Sequence, residues 1–474
     1  MTVLRNAQLI VILGLLWPNG SATAETLAEA MAAAYLYNPV LEAGRSDVRA
    51  IDENVSMAHG AFRPSVSATG DLSWEDVKTD GGEGQPVVGP GGTLTESGIN
   101  RSASYEVSVT QPVFTGLQNI NRLRAAEAGV RGARELLRDT ERNVLLQTVT
   151  AYAAVIGAQE VLKAQEYNLD RLNSEVRIAK ERVELTELTN TDLSQAELRR
   201  ASASSNVANA RAGLIAARAS YLNVVGHEAS HLLQPQLPPS LPRSLPEAQS
   251  IALEENPLIV GALYSEQAAR YAVDQIRGQL LPQLSVEASY GETFNSNSSD
   301  QSNTLVAGRL TVPIYEGGQV HAAVRQAKHM HLSRIQTIEA VRSLVQQAVS
   351  TSWAQYQAAK TRVDLGQQRV RTSVTVLDGV RREEGIGQRD LLDVLNAEQD
   401  VVDARVELIA AQQDLTVAAF RVIGDVGRLS AEQLQLGTLA YDPTVHYEEV
   451  RRKWFGLDIT YSNGSSEHVE ANVR

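Results

Sequence analysis

The chain has 474 residues, enough for several ordinary domains, yet aromatic residues make up only 5% of it, which suits extended helices packing on small side chains better than one large globular interior. A formal charge of -13 argues against nucleic acid as a partner, because phosphates demand a basic surface. Cysteine is absent, which excludes disulfides and a lipid-bearing N-terminal cysteine.

In chain order, residues 1–24 have the pattern of a secretory signal. Arg5 supplies the positive region, Ala7 to Trp17 the apolar run, and Ala22-Thr23-Ala24 a small-residue cleavage site. The apolar run is too short to span a bilayer as a helix. No later stretch approaches 18 apolar residues, so any membrane contact of the exported chain must be made another way.

The body of the chain is one unit written twice. Leu27-Ala28-Glu29-Ala30 through Asn38-Pro39 recurs 218 residues later as Leu245-Pro246-Glu247-Ala248 through Asn256-Pro257, and Gly60 and Pro64 recur at that offset as Gly278 and Pro282. Pro112, Gly116, Asp192, Ala196 and Glu197 recur 201 residues later as Pro313, Gly317, Asp393, Ala397 and Glu398. The 17-residue difference falls between Pro64 and Pro112, where the first copy has a glycine-rich insert, Gly81 to Gly92. Colinear matches at constant offset define a first repeat over 25–227, a proline-rich linker over 228–243, a second repeat over 244–427 and a C-terminal segment over 428–474.

Each copy starts with a helix, Leu27 to Ala61 in the first, broken at Asn38-Pro39 because a residue before proline is pushed out of helical geometry. Two strands then alternate. Over Ser65 to Glu75, Val66, Ala68, Leu72 and Trp74 share one face, and over Ala103 to Thr110 the face holds Ala103, Tyr105, Val107 and Val109. The second copy repeats this with Leu284, Val286, Ala288 and Tyr290, then Val306, Leu310 and Val312, with Leu305 out of pattern. The intervening loops, Thr79 to Arg101 and Asn295 to Asn303, have solvated turn composition. At Pro112 and Gly116, and again at Pro313 with Gly317-Gly318, the period switches from strand to helix. Long helices follow, Leu117 to about Leu188 and Val320 to about Glu384, on the order of 100 Å each at the usual rise. The series Val155, Ala158, Leu162, Gln165, Leu169, Leu172, Val176, Ala179, Val183 is a coiled-coil seam. Val394, Val401, Leu408, Leu415 and Val422 form another on the returning helix of copy two, whose counterparts in copy one are Leu193, Arg200, Val207, Leu214 and Tyr221.

Strands of about ten residues with one apolar and one polar face have the length of tilted membrane-spanning strands. Four of them cannot close a barrel, and an open sheet in lipid would leave edge amides unpaired. Chains must share one barrel: two would give eight strands, three would give twelve. The polar face then lines an aqueous lumen and the helices prolong the tube, giving a passive duct. The alternatives are a soluble sandwich, or a periplasmic coiled-coil binding or structural protein that would not need the four alternating runs.

The repeated Asn-Pro units, the Pro313-Ile314-Tyr315-Glu316-Gly317-Gly318 junction, and Gly387 to Ala397 resemble the TolC family of outer-membrane efflux and secretion channels, over about Glu25 to Gly427. The resemblance implies an α+β membrane protein: a homotrimer with a 12-strand β-barrel, four strands per chain, continuous with a long periplasmic α-helical coiled-coil barrel. It implies a periplasmic adaptor, an inner-membrane ABC or RND-type pump, outer-membrane lipid around the barrel, and a transport role without cofactor or enzymatic activity. It also implies a gate at the periplasmic end. Asp393 matches a ring aspartate, while Asn396 stands where a second ring aspartate is found. Arg389 matches a linking arginine, and Thr191 and Asp192 its acceptors. Glu384 replaces a linking tyrosine, where two acids facing each other would repel.

Two patterns point elsewhere. His227-Glu228-Ala229-Ser230-His231 satisfies the zinc-protease pattern, two histidines one helical turn apart with a glutamate to activate water. Gly226 before it and the prolines from Pro235 place it at a helix end, and copy two has no trace of it. His321, His329 and His331 begin a long helix, with the last two on different faces. The segment Tyr441 to Trp454 looks like the tail of TolC-like proteins serving type I secretion, which points toward protein export; its other reading is packing around the equator of the helical barrel. Ser462 to Arg474 is polar and expected to be disordered.

Overall fold

The computed structural model describes residues 24–77, 98–238, 240–296, 299–437, 441–460 and 466–467. The secretory signal up to residue 23, the glycine-rich insert and most of the polar tail lie outside the described residues. Two compact units emerge, and each draws on both copies: one takes the chain up to Leu41, Glu141–Ala248 and Val349 onward to 437, the other Glu42–Thr140, Gln249–Ala348 and the segment from 441.

The second unit contains the sheet. Strands β1 (Ser65–Val77), β2 (Gly98–Thr115), β3 (Gln283–Asn295) and β4 (Gln301–Thr311) are antiparallel in the order β1-β2-β3-β4. Pairing runs Ser65 to Thr110, Ser108 to Ser289 and Gln283 to Thr311. Alternation sorts the side chains as expected. Val66, Leu72, Trp74, Val107, Tyr290, Val306 and Leu310 are exposed on one face, where nothing among the described residues covers them. Opposite lie Ser67 and Ser108, whose hydroxyls are 2.9 Å apart, Ser73 and Ser102 at 2.6 Å, and the Arg309–Glu287 ion pair at 3.2 Å. Leu305, paired with Ser289, is the apolar residue placed on that polar face. The outer edges of β1 and β4 carry no neighbouring strand among the described residues.

Several boundaries differ from expectation: β2 begins at Gly98 and β4 at Gln301, inside the loops expected over Thr79 to Arg101 and Asn295 to Asn303. β2 does not stop at Pro112 but continues to Thr115 through a register shift between Pro112 and Phe114. A bulge tolerates the missing proline amide, so the strand bends rather than ends there. Gly116 and Leu117 then take left-handed φ values of 61° and 63°, and α3 (Gln118–Glu184) begins. In copy two β4 ends before Pro313, Gly317 and Gly318 have φ of 62° and 80°, and α7 (Gln319–Gly385) follows. The backbones of Gly116 and Gly278 touch: a Cβ on Gly116 would lie 2.2 Å from the Gly278 carbonyl oxygen, and one on Gly278 2.3 Å from that of Gly116. Helix α2 (Pro39–Gly60) is tied to the same junction. Asn119 donates from Nδ2 to the Ala61 carbonyl at 2.6 Å and Gln111 from Nε2 to that of Phe62 at 3.0 Å.

The helical unit packs α1 (Leu27–Tyr37), the C-terminal parts of α3 and α7, α4 (Asn190–Val225), the first turn of α5 (Leu245–Glu255) and α8 (Leu391–Val426). Asn38 ends α1 and opens α2 as the proline rule predicts, its Nδ2 donating to the Val224 carbonyl at 2.9 Å. The core joins Leu27, Ala30 and Met31 of α1 to Leu145, Val149 and Tyr152 of α3, Tyr221 and Val225 of α4, and Phe420 and Ile423 of α8. All nine residues of the first seam are buried or half-buried, and so are the five of the second; in α4 Arg200 is exposed, which interrupts the copy-one seam.

The Gly116–Gly278 contact yields a direct test. Gly278→Ala should cost about 1–3 kcal/mol by overpacking and lower the temperature at which the SDS-resistant oligomer is lost. Gly213→Ala, in mid-α4 with open space at its Cβ position, should leave that temperature unchanged or raise it.

Candidate functional site: the helix tips

The two hairpin tips occupy equivalent positions in the repeats, and small differences give them different chemistry. In copy one, α3 ends with the Thr186 amide bonded to Val183 and that of Glu187 to Arg182, which puts Thr186 at a left-handed φ of 62°. Its counterpart in copy two is Gly387, φ 75°, where a glycine meets the requirement without strain.

Thr189 caps α4 in a reciprocal box with Asp192. The Asp192 amide donates to the Thr189 hydroxyl oxygen at 3.2 Å, and the Asp192 carboxylate accepts from the Thr189 hydroxyl at 2.7 Å and amide at 3.0 Å. Those bonds hold the Asp192 carboxyl below the usual aspartate range, the hydroxyl contributing most. The equivalent pair in copy two is Asp390 and Asp393. Asp390 makes no side-chain cap bond, and Asp393, in the first turn of α8, lies 3.4 Å from the Nη1 of Arg389. Arg389 also donates from Nε to Glu383 at 3.0 Å. Within one chain Arg389 is therefore brought to Asp393 and Glu383, while Thr191 is exposed and Asp192 is engaged with Thr189.

Within one chain Glu384 is engaged by a cation. Its carboxylate accepts from Arg182 Nη1 at 2.7 Å, joining the ends of α3 and α7, and Glu187 lies 3.5 Å from the same guanidinium. Within one chain, then, a cation on α3 stands between Glu384 and Glu187. Asn396 is also used within the chain, accepting from Arg199 Nη2 at 2.6 Å.

One group was not singled out for this role from the sequence. Glu398, buried, accepts from Arg171 of α3 at 2.7 Å and contacts Arg381 of α7, so one carboxylate clamps three helices. Its repeat counterpart Glu197 is exposed. The available signal was a charged residue between Val394, Ala397 and Val401, which bury against Leu377. Nearby, burial first and the Glu398 charge second push the Glu175 carboxyl up.

The zinc-protease pattern has a different use. Residues 227–231 follow the end of α4 at Val225, with Gly226 at φ 94°, and are not helical, so the two histidines are not one helical turn apart. His227 Nε2 lies 3.3 Å from the Glu25 carboxylate, which also accepts from the Tyr221 hydroxyl at 2.6 Å. The Glu25 amide donates to the His231 carbonyl at 2.7 Å. The Tyr152 hydroxyl sits 2.8 Å from the Glu25 carbonyl oxygen and 2.7 Å from that of Leu233; burial pushes its pKa up to about 12. The segment holds the chain at Glu25 against the helical core. Among the other histidines, His331 Nε2 pairs with Glu266 at 2.5 Å, joining α7 to α6 (Pro257–Arg277). No group of three or more metal-ligating side chains occurs among the described residues.

A sheet with a bare apolar face, a polar face and two open edges, joined to helices of 67 residues that end in charged hairpin tips, defines one chain's share of a membrane channel. The family model described as "Outer membrane efflux protein" matches residues 31–227 and 248–426. The chain belongs to this family, the TolC family of outer-membrane channels. It is 34% identical over 455 residues to the outer membrane efflux protein BepC of Brucella suis biovar 1 (strain 1330), covering 95% of this chain and 96% of the relative. The alkaline protease secretion protein AprF of Pseudomonas aeruginosa is 27% identical over 360 residues, 73% of this chain and 74% of that one. In fold, the chain is similar to the Campylobacter jejuni CmeC outer membrane channel, with a TM-score of 0.73 at 15% identity, over 90% of this chain and 89% of that one. Channels of this family are homotrimers that work with adaptor proteins and inner-membrane pumps; they are not enzymes. The protein is an outer-membrane exit duct with a periplasmic extension, and its four strands are one third of a 12-strand barrel.

The tip contacts can be ranked by amide hydrogen exchange around residues 177–192 and 378–396. Glu398→Ala, which leaves two guanidiniums facing each other, should lower the local opening free energy by about 2 kcal/mol, and Glu384→Ala by about 1 kcal/mol. Glu175 has a raised pKa, so its protonation favours the folded tip and that contribution is lost as pH rises through the raised value. Glu175→Gln should therefore slow exchange at neutral pH, with the difference vanishing below about pH 4, where the glutamate is protonated in both states.

Proposed function

We propose that the protein is the exit duct of a tripartite export system, gated at the copy-two tip, through which an inner-membrane pump of the ABC or RND type passes cargo by way of a periplasmic adaptor. The observation that carries the gate is the difference between the tips. Asp192 is consumed by its cap, whereas Asp393 has no cap partner and stays paired to an exposed arginine, Arg389. Three copies of Asp393 around an axis would form a site for multivalent cations, with Asn396 one turn deeper. Opening would exchange the Arg389 contacts, with Thr191 and Asp192 of a neighbouring copy as the acceptors in the closed ring. Adaptor docking is supported by Leu185 and Ile386, exposed at equivalent positions of the two tips.

The repeats, 25–227 and 244–427 joined by the linker 228–243, act as alternating members of the ring. Inside the chain, copy one meets copy two with Ser108 facing Ser289 and Gly116 against Gly278. The two hairpins have equivalent registers, Ser65 to Thr110 and Gln283 to Thr311. Carrying the internal pairing to the seam between chains puts Arg309 opposite Asp71 of a neighbouring copy, and Gly317 against that copy's Gly60. Opposite charges then face each other on the lumen side. Both Gly60 and Gly317 have open space at their Cβ positions in the single chain.

Small-molecule efflux is the first reading of the cargo, supported by similarity to BepC over nearly the whole chain. Protein secretion is the second, supported by the likeness to AprF and by the aromatic, charged segment from Tyr441. Gene deletion separates them: sensitivity to toxic compounds with an unchanged set of secreted proteins establishes the first, and the converse the second.

For the gate, Asp393→Ala should abolish block by trivalent cations in planar-bilayer recordings, and Arg389→Ser should raise the closed-state conductance; unchanged block or current would refute the assignment. For the seam, the cysteine-free chain allows a clean test, since Asp71→Cys with Arg309→Cys should form interchain disulfides under mild oxidation. Monomers persisting on a non-reducing denaturing gel would reject that register.

A further inference from the structure

The segment after the second repeat carries an exposed aromatic cluster at the level where the strands begin. Helix α9 (Thr444–Arg452) docks on α2 through buried His446, whose Nδ1 lies 3.1 Å from the buried Asp52 carboxylate, while Arg134 sits 5.2 Å from the Tyr447 ring. Beyond α9 the chain is held by Arg63. Its Nη1 donates to the Lys453 carbonyl at 3.0 Å, and its guanidinium lies 4.4 Å from the Trp454 ring centre. Lys453 in turn donates from Nζ to the Asp458 carbonyl at 2.9 Å, closing a turn in which Gly456 has a φ of 116°. This turn exposes Trp454 at 60%, Phe455 at 86% and Leu457 at 92%. Aromatic and aliphatic side chains fixed by several polar contacts, yet left bare, mark a surface built to meet something.

The position of Arg63 says what. It stands two residues before Ser65, the first residue of β1, and its neighbour Phe62 is bonded to Gln111 on β2. Exposed Phe62, Val113 and Phe114 lie at that same end of the sheet. At the other end, Trp74, Tyr105 and Phe294 are exposed on the apolar face. Membrane barrels carry aromatic girdles at both interfaces, because an amphipathic ring is at home among headgroups. We propose that Trp454, Phe455 and Leu457 are an interfacial anchor that inserts into the periplasmic leaflet of the outer membrane, its partner being phospholipid. The cluster continues an interface already set by the strands. Arg63, Arg452 and Lys453 beside it suit anionic headgroups, while the acidic Glu448 one turn back is paired with Arg451 at 3.9 Å. In a chain without cysteine, this segment takes the anchoring task that a lipidated terminus would perform.

The anchor rests on the strands lying in the membrane, so the test reads both. Two single-tryptophan forms of the full chain are reconstituted in phospholipid vesicles: one keeps Trp454, with Trp17→Phe, Trp74→Phe and Trp353→Phe; the other keeps Trp74, with Trp17→Phe, Trp353→Phe and Trp454→Phe. Phospholipid brominated near the glycerol backbone is the probe. Both forms should lose about half of their emission, as interfacial indoles do. Quenching of Trp74 without quenching of Trp454 overturns the anchor alone. In that case quenching of Trp454 by aqueous iodide shows a segment in water, and protection from both quenchers shows one covered by a neighbouring copy. Failure of lipid to quench Trp74 overturns the membrane placement and the anchor with it.

Discussion

Backbone hydrogen bonding in lipid is the constraint on which the rest of this structure depends. Each edge amide without a partner in hydrocarbon costs several kcal/mol, so a four-stranded sheet cannot remain open there. Among the described residues β1 and β4 present such edges, and each is complementary to the other's counterpart on a further copy. Assembly is therefore part of folding for the sheet unit. The exposed apolar face and the serine-rich opposite face acquire their meaning, lipid side and lumen side, once that closure is made.

The duplication governs how the closure is reached. Because each compact unit draws on both copies, the chain is not built as two beads, one per repeat. Gly116 against Gly278 is a contact between copies inside one chain, and the same elements are left open at Gly60 and Gly317. Divergence has then given the copies separate work. Thr189 caps Asp192, whereas Asp390 leaves Asp393 to Arg389; Glu197 is exposed, whereas buried Glu398 clamps α3, α7 and α8.

Charged side chains stiffen the tips more than the coiled-coil seams alone would. Arg182 with Glu384, and Arg171 and Arg381 with Glu398, cross between helices where the apolar stripes are narrow. Such partly buried pairs stabilise modestly, yet removing one partner strands the other's charge, which fixes helix register at the hairpin tips. The anchoring of Glu25 by Tyr152, Tyr221 and the stretch His227 to His231 serves the opposite end of α4, where a pattern that reads as zinc chemistry in one dimension is a non-helical strap in three.

Much of this was legible in the residues themselves. Period two and period three-to-four are properties of local geometry, so the four strands, the long helices, the Asn-Pro breaks and the junction glycines could be read directly, and constant offsets revealed the repeat. Where the residues misled, the deciding partner was remote in sequence. Pro112 bends β2 instead of ending it because β3 accepts a bulge there. Glu384 gains a cation because Arg182, some 200 residues away, reaches it. Glu398 becomes a clamp because two arginines converge from different helices, and Trp454 reaches the strand end because Arg63 holds it there. Sequence by itself determined the elements and their order, since those depend on neighbours a few residues apart; tertiary structure alone decided which charges meet, since that depends on distances no spacing along the chain encodes.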